Sequence, residues 1–127
     1  MNNYKPNGYN SVSPYLVVNG AEKMIDLLKQ IFAAKELHRY ETPEGSLMHA
    51  ELQLDDSVVM LAESSERYPP NKLLLHVYVA DVDATFNKAI SAGCKSIQEP
   101  KRQEGDPDKR GMFEDFSGNT WAVGTQM

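Results

Sequence analysis

A single cysteine, Cys94, rules out an internal disulfide and a thiolate metal cluster. It follows Gly93 and has no histidine or lysine at a mechanistic spacing, so it reads as a small, buried, inert thiol. Long apolar runs are also missing: the longest is Val58-Val59-Met60-Leu61-Ala62, far short of the roughly 20 residues of a spanning helix. The opening MNNYKPNGYN has no charged-then-apolar export layout, and the expectation is a cytoplasmic protein. Basic charge is scarce, with 13 Lys and Arg against 18 Asp and Glu and a net charge of −5. That balance argues against nucleic acid and anionic membranes as partners.

What remains is 127 residues, enough for one structural domain or for two small halves sharing a core. Residues 1–11 lack periodicity and read as an N-terminal tail lying across the surface. Residues 12–18 are β-branched and apolar around Pro14, the pattern of a first strand. Asn19 and Glu22 have the spacing of a capping box, and Met24, Leu27, Leu28 and Ile31 form one helical stripe. Strands are expected at 36–41, 47–54 and 57–63, followed by a linker over 64–72.

The same order then returns. Residues 73–79 read as a strand, Asp81 caps a helix carrying Val82, Phe86, Ala89 and Ile90 on one face, and Gly93 ends it. A short strand at 95–99, a charged loop at 100–109 and a hairpin of 110–115 with 120–125 complete the chain. Val18 aligns with Val79, Gly20 with Asp81 and Ile25 with Phe86, a constant offset of 61 residues. The chain is therefore read as two modules, 12–63 and 73–127, each strand, helix and three strands in order. Each module alone would expose a sheet face, so pairing within the chain or across a dimer is expected.

The stretches SPYLVVNGAEKMIDLLKQIFAAKEL, MHAELQLDDSVVMLAE, LHVYVADVDATFNKAISAG and EDFSGNTWAV resemble the vicinal oxygen chelate superfamily of glyoxalases, bleomycin-resistance proteins and dioxygenases, most closely its PhnB-like group. The resemblance spans residues 12–125 and implies an α+β fold in which two βαβββ modules curl mixed sheets around a cavity, commonly in a homodimer. Metal-dependent relatives place ligands on the first and last strand of each module, where a divalent ion acts as a Lewis acid. In this chain those positions fall on Ser13, Leu74, Met60 or Leu61, and Ala122, none of which matches.

Two function classes follow. The first is a binding protein that encloses a small aromatic or amphiphilic molecule without a metal or other cofactor, its pocket lined by Tyr15, His49, Met60, His76, Phe113 and Trp121. The alternative is a metal-dependent lyase, isomerase or dioxygenase with a shifted divalent-metal site built from His76, Glu63 and His49. A third possibility uses His76 as a metal-free general base. His76 in an apolar strand suits a hydrogen-bonded pocket histidine better than a ligand, and His49 with Glu51 suits one solvated sheet side. Arg110 is placed to reach an anionic ligand, and the loop at 100–110 has the length and Gly and Pro content of a lid.

Overall fold

The fold was analysed in a computed structural model that describes residues 3–127. The first two residues of the expected tail lie outside the described residues. The order is β1 (Tyr15–Val18), α1 (Ala21–Phe32), β2 (Lys35–Glu41), β3 (Leu47–Leu54), β4 (Ser57–Glu63), β5 (Leu74–Tyr78), α2 (Val82–Ser91), β6 (Lys95–Arg102), β7 (Asp108–Glu114) and β8 (Thr120–Gln126). Contacts divide the chain into two units, Met1–Asn71 and Lys72–Met127. Each holds one helix and a four-stranded mixed sheet, in the orders β1-β4-β3-β2 and β5-β8-β7-β6. The doubled βαβββ arrangement expected from the sequence is thus present.

In the first unit the apolar stripe of α1 is buried as its spacing requires: Met24, Leu27, Leu28 and Ile31 meet Leu16, Val18, Ala50, Leu52 and Leu61 from alternate strand positions. Burying a side chain of this size contributes about 1.5–3 kcal/mol, so this face supplies most of the unit's cohesion. In the second unit Val82, Phe86 and Ala89 of α2 pack on β6, β7 and β8, with Phe86 edge-on to Phe113 at 6.4 Å between centroids.

Several boundaries depart from expectation. β1 begins at Tyr15, because pairing to β4 starts only where Met60 N–H meets the Pro14 carbonyl, and Val12 is 86% exposed. The helix α1 is not capped by Asn19. Its N-cap is Gly20 at φ 110°, and Glu22 instead pairs with Arg39 of β2. The cap comes from far along the chain, for the Glu63 carboxylate accepts from Gly20 N–H at 3.0 Å and Ala21 N–H at 2.9 Å. Asp81, by contrast, caps α2 as its sequence position suggests, accepting from Ala84 N–H at 3.1 Å.

β6 also runs past its expected end at residue 99, through Pro100 to Arg102. A proline is tolerated there because β6 is the edge strand and its register shifts between Gln98 and Lys101. Gly111 opposite makes room: a Cβ there would lie 3.1 Å from the Pro100 ring.

Candidate functional site

Each sheet turns one face to its helix and leaves the other free, and register assigns every strand residue to one of them. On the free face of the first unit, Tyr15, Met60, Glu51 and His38 form one cross-strand row, with His49 and Tyr40 paired in the next. On the free face of the second, His76, Ala122, Met112 and Gln98 form the matching row, followed by Tyr78, Gly124, Arg110 and Lys101. The modules therefore correspond position by position: Tyr15 with His76, Met60 with Ala122, His49 with Arg110. The pairing of Tyr15 with His76 agrees with the offset read from the sequence.

The first row is wired by hydrogen bonds. The Tyr15 hydroxyl donates to His49 Nδ1 at 2.8 Å, His49 Nε2–H donates to Glu51 at 2.8 Å, and the Tyr9 hydroxyl donates to the other Glu51 oxygen. Tyr9 thereby ties the N-terminal tail to the sheet. The hydrogen bond to Glu51, with burial and the carboxylate's charge, pushes the Tyr9 phenol up to about 12. Burial, then the charge of Glu51, raises the Tyr15 phenol. Burial also pulls on the Glu51 carboxyl, but the hydrogen bonds from Tyr9 and His49 prevail and hold it below its ordinary value.

A recess opens at one end of this unit. β3 and β4 stay paired from Leu54 with Ser57 up to Ala50 with Leu61 and then separate, while residues 47 and 49 of β3 remain paired to β2. The resulting groove of about 460 Å³ is lined by Tyr15, Val17, Leu47, Met48, Ala62 and Tyr68. The second unit keeps β7 and β8 paired from Asp108 with Gln126 to Glu114 with Thr120 and has a smaller recess of about 340 Å³.

The walls of that second recess include His76, Gln98, Lys101, Arg110, Met112 and Ala122. Arg110 Nη1–H donates to His76 Nε2 at 2.6 Å, although β8 lies between their strands. The crossing is possible over Gly124, where a Cβ would stand 3.4 Å from His76 Nε2 and 3.7 Å from Arg110 Cγ. Arg110 also donates to Asp106 at 3.0 Å and to Asp108 at 2.6 Å. The Tyr78 hydroxyl donates to Asp108 at 2.7 Å, and that bond raises the Tyr78 phenol. The backbone N–H of Asp108 and the guanidinium of Arg110 together hold the Asp106 carboxyl below its ordinary value.

The six side chains expected to line a pocket are therefore divided. Tyr15, His49 and Met60 share the free face of the first unit, and His76 stands on that of the second. Phe113 and Trp121 do not join them. They are 0% and 1% exposed, on the helix side of β7 and β8, and Trp121 Nε1–H donates to the buried Asp115 at 2.9 Å. The same carboxylate accepts from the backbone N–H groups of Ser117 and Asn119, so Trp121 completes the hairpin turn rather than facing a ligand.

Glu63 and His49 are not neighbours either: Glu63 lies on the other side of β4 from Met60 and serves α1. Among the described residues no three His, Cys, Asp or Glu side chains converge to hold a metal ion. Sequence reasoning missed Tyr9, Tyr78, Asp106 and Asp108. A glycine inside the last strand was the available signal for the crossing at Gly124.

Two four-stranded mixed sheets, each backed by one helix and repeated in tandem, define the glyoxalase-type fold. The model of the Glyoxalase/Bleomycin resistance protein/Dioxygenase superfamily matches residues 8–123, and the chain belongs to that superfamily. It is 32% identical to the uncharacterized protein Mb0911c of Mycobacterium bovis over 125 residues, covering 90% of this chain and 82% of that protein. Its fold is similar to TioX from Micromonospora sp. ML1, with a TM-score of 0.78 at 21% identity over 93% of this chain and 99% of that one. It is similar as well to TnmS3, an antibiotic binding protein from Streptomyces sp. CB03234, with a TM-score of 0.70 at 20% identity over 94% and 100% of the two chains. No described helix is long and apolar enough to cross a membrane.

Proposed function

We propose that this chain is a binding protein that takes up a small aromatic or amphiphilic molecule on the free faces of its sheets, without a metal, and works as a homodimer. The observation that carries the reading is the groove of about 460 Å³ between the splayed ends of β3 and β4, walled by Tyr15, Val17, Met48, Ala62 and Tyr68. Its size falls in the roughly 300–1,000 Å³ range of small-molecule sites, and its walls are mainly apolar with a few polar groups to fix orientation. The antibiotic-binding role of TnmS3, a protein of the same fold, supports it.

The donor groups present do not suit the superfamily's metal. Met60 and Ala122 pair with Tyr15 and His76 on the free faces, where a carboxylate would be needed. Both oxygens of Glu63 already serve the first backbone N–H groups of α1. His49 is engaged at both ring nitrogens, and His76 Nε2 faces a guanidinium, a poor neighbour for a cation.

The reading is tested with isotope-labelled protein titrated with 2-naphthol. Saturable shifts are expected at Tyr15, Val17, Met48 and Ala62. Met48→Glu, at a position 57% exposed and so tolerant of change, is expected to lower affinity at least tenfold with the fold intact. An unsaturable response, or one that avoids these residues, contradicts the proposal.

A further inference from the structure

We infer that the groove of the first unit selects a ligand that donates a hydrogen bond and carries no negative charge, with the Tyr15 phenol oxygen as acceptor and His49 as the positioning residue that fixes this role. The inference rests on the small-molecule reading above and names the polar group its ligand must carry. The direction of each hydrogen bond follows from counting protons. The Glu51 carboxylate can only accept, and its two oxygens take the Tyr9 hydroxyl and His49 Nε2. His49 Nε2 therefore carries a proton. A neutral imidazole has one N–H, which leaves Nδ1 bare and obliges the Tyr15 hydroxyl to donate to it at 2.8 Å.

With its proton committed, the Tyr15 oxygen has only lone pairs left to offer. Among the described residues no other group donates to it. Tyr15 is 38% exposed and lines the groove with Val17 and Ala62. The relay is also held in place: the His49 ring lies 5.6 Å from that of Tyr15 and 6.0 Å from that of Tyr40, and Glu51 holds its far nitrogen. The hydroxyl cannot turn toward a ligand without leaving Nδ1 unpaired. An ether, ketone or carboxylate oxygen set against Tyr15 would bring two acceptors face to face, whereas a hydroxyl or N–H completes the relay.

Charge narrows the class further. Among the described residues the groove walls carry one acid, Glu63, and no basic side chain. The charge of Glu51 is felt at Tyr15 as well, where it adds to burial in raising the phenol. An anion would meet this negative field and bring no proton to share. The ligand class is therefore a flat apolar molecule with a phenolic hydroxyl or an N–H at one edge, its body against Leu47, Met48 and Ala62.

Paired titrations with 2-naphthol and its methyl ether, 2-methoxynaphthalene, followed by the amide resonances of Val17, Met48 and Ala62, test the inference. They are run at pH 8, above the range in which free imidazole side chains titrate. The phenol is expected to bind at least fivefold more tightly than the ether, about the effect of one hydrogen bond. In Tyr15→Phe that preference should fall to twofold or less, through weaker phenol binding with ether binding unchanged. His49→Ala should bring it to twofold or less by the opposite route, because the released Tyr15 hydroxyl can donate to the ether and raise its affinity. Equal binding of phenol and ether in the unaltered groove, or a preference that survives either substitution, overturns the selection and leaves the small-molecule reading standing. Failure of both compounds to bind the groove overturns both.

Discussion

Trp121 and Ala122 are neighbours in the chain and opposite in use. Trp121 is locked under the last hairpin by Asp115, whereas Ala122 sits between His76 and Met112 on the free face. Trp121→Phe should therefore destabilise the fold by about 1–3 kcal/mol in urea unfolding, since it leaves the buried Asp115 short of a donor. It should leave binding in the first unit's groove unchanged. Glu63 follows the same logic: Glu63→Gln removes charge from the start of α1 and is expected to cost about 0.5–2 kcal/mol without altering bound metal, as read by urea unfolding with elemental analysis. Tyr9 has a pH signature. Its folded phenol lies above the unfolded value of about 10, so its contribution to stability is complete below that pH and disappears as pH rises through about 12. A spectrophotometric titration should show a late phenol near pH 12 that is absent in Tyr9→Phe; loss of an ordinary tyrosine near 10 instead would contradict the Tyr9 to Glu51 bond.

The elements were legible wherever one pattern acted alone. The stripe of α1 and the Asp81 cap are local, and both appear as read. What could not be read is what one element lends to another. The cap of α1 comes from Glu63, 43 positions beyond Gly20, and displaces the local capping box suggested by Asn19 and Glu22. β6 survives Pro100 because Gly111 on the neighbouring strand leaves space, a fact of register rather than of composition. The position of Trp121 was undecidable for a related reason: alternation shows that Trp121 and Ala122 face opposite ways but not which side the helix covers. One local feature remains suboptimal, because Ala33 ends α1 at φ 55°, a left-handed geometry that favours glycine. Ala33→Gly is expected to raise stability by about 0.5–1 kcal/mol in urea, and a loss of stability would place the helix end elsewhere.

For the molecule as a whole, duplication supplied two copies of one frame whose free faces have diverged. Tyr15, His49 and Glu51 on the first unit correspond to His76, Arg110 and Met112 on the second, an acidic and aromatic set against a basic one. The sequence could suggest the frame through its repeat, but it could not show that Arg110 reaches across β8 to His76, since that depends on Gly124. On the free faces neither unit carries a carboxylate opposite its first strand: Tyr15 faces Met60 and His76 faces Ala122, and the Glu63 opposite Val18 lies on the helix side. In the homodimer proposed here, light scattering should give twice the 14.2 kDa chain mass. The central claim is that binding needs no metal. The most direct measurement is calorimetric titration of 2-naphthol into protein before and after exhaustive treatment with EDTA, with metal content determined in both samples. Equal affinity in the two, with substoichiometric metal throughout, is the result predicted; affinity lost on chelation and restored by a divalent ion would contradict it.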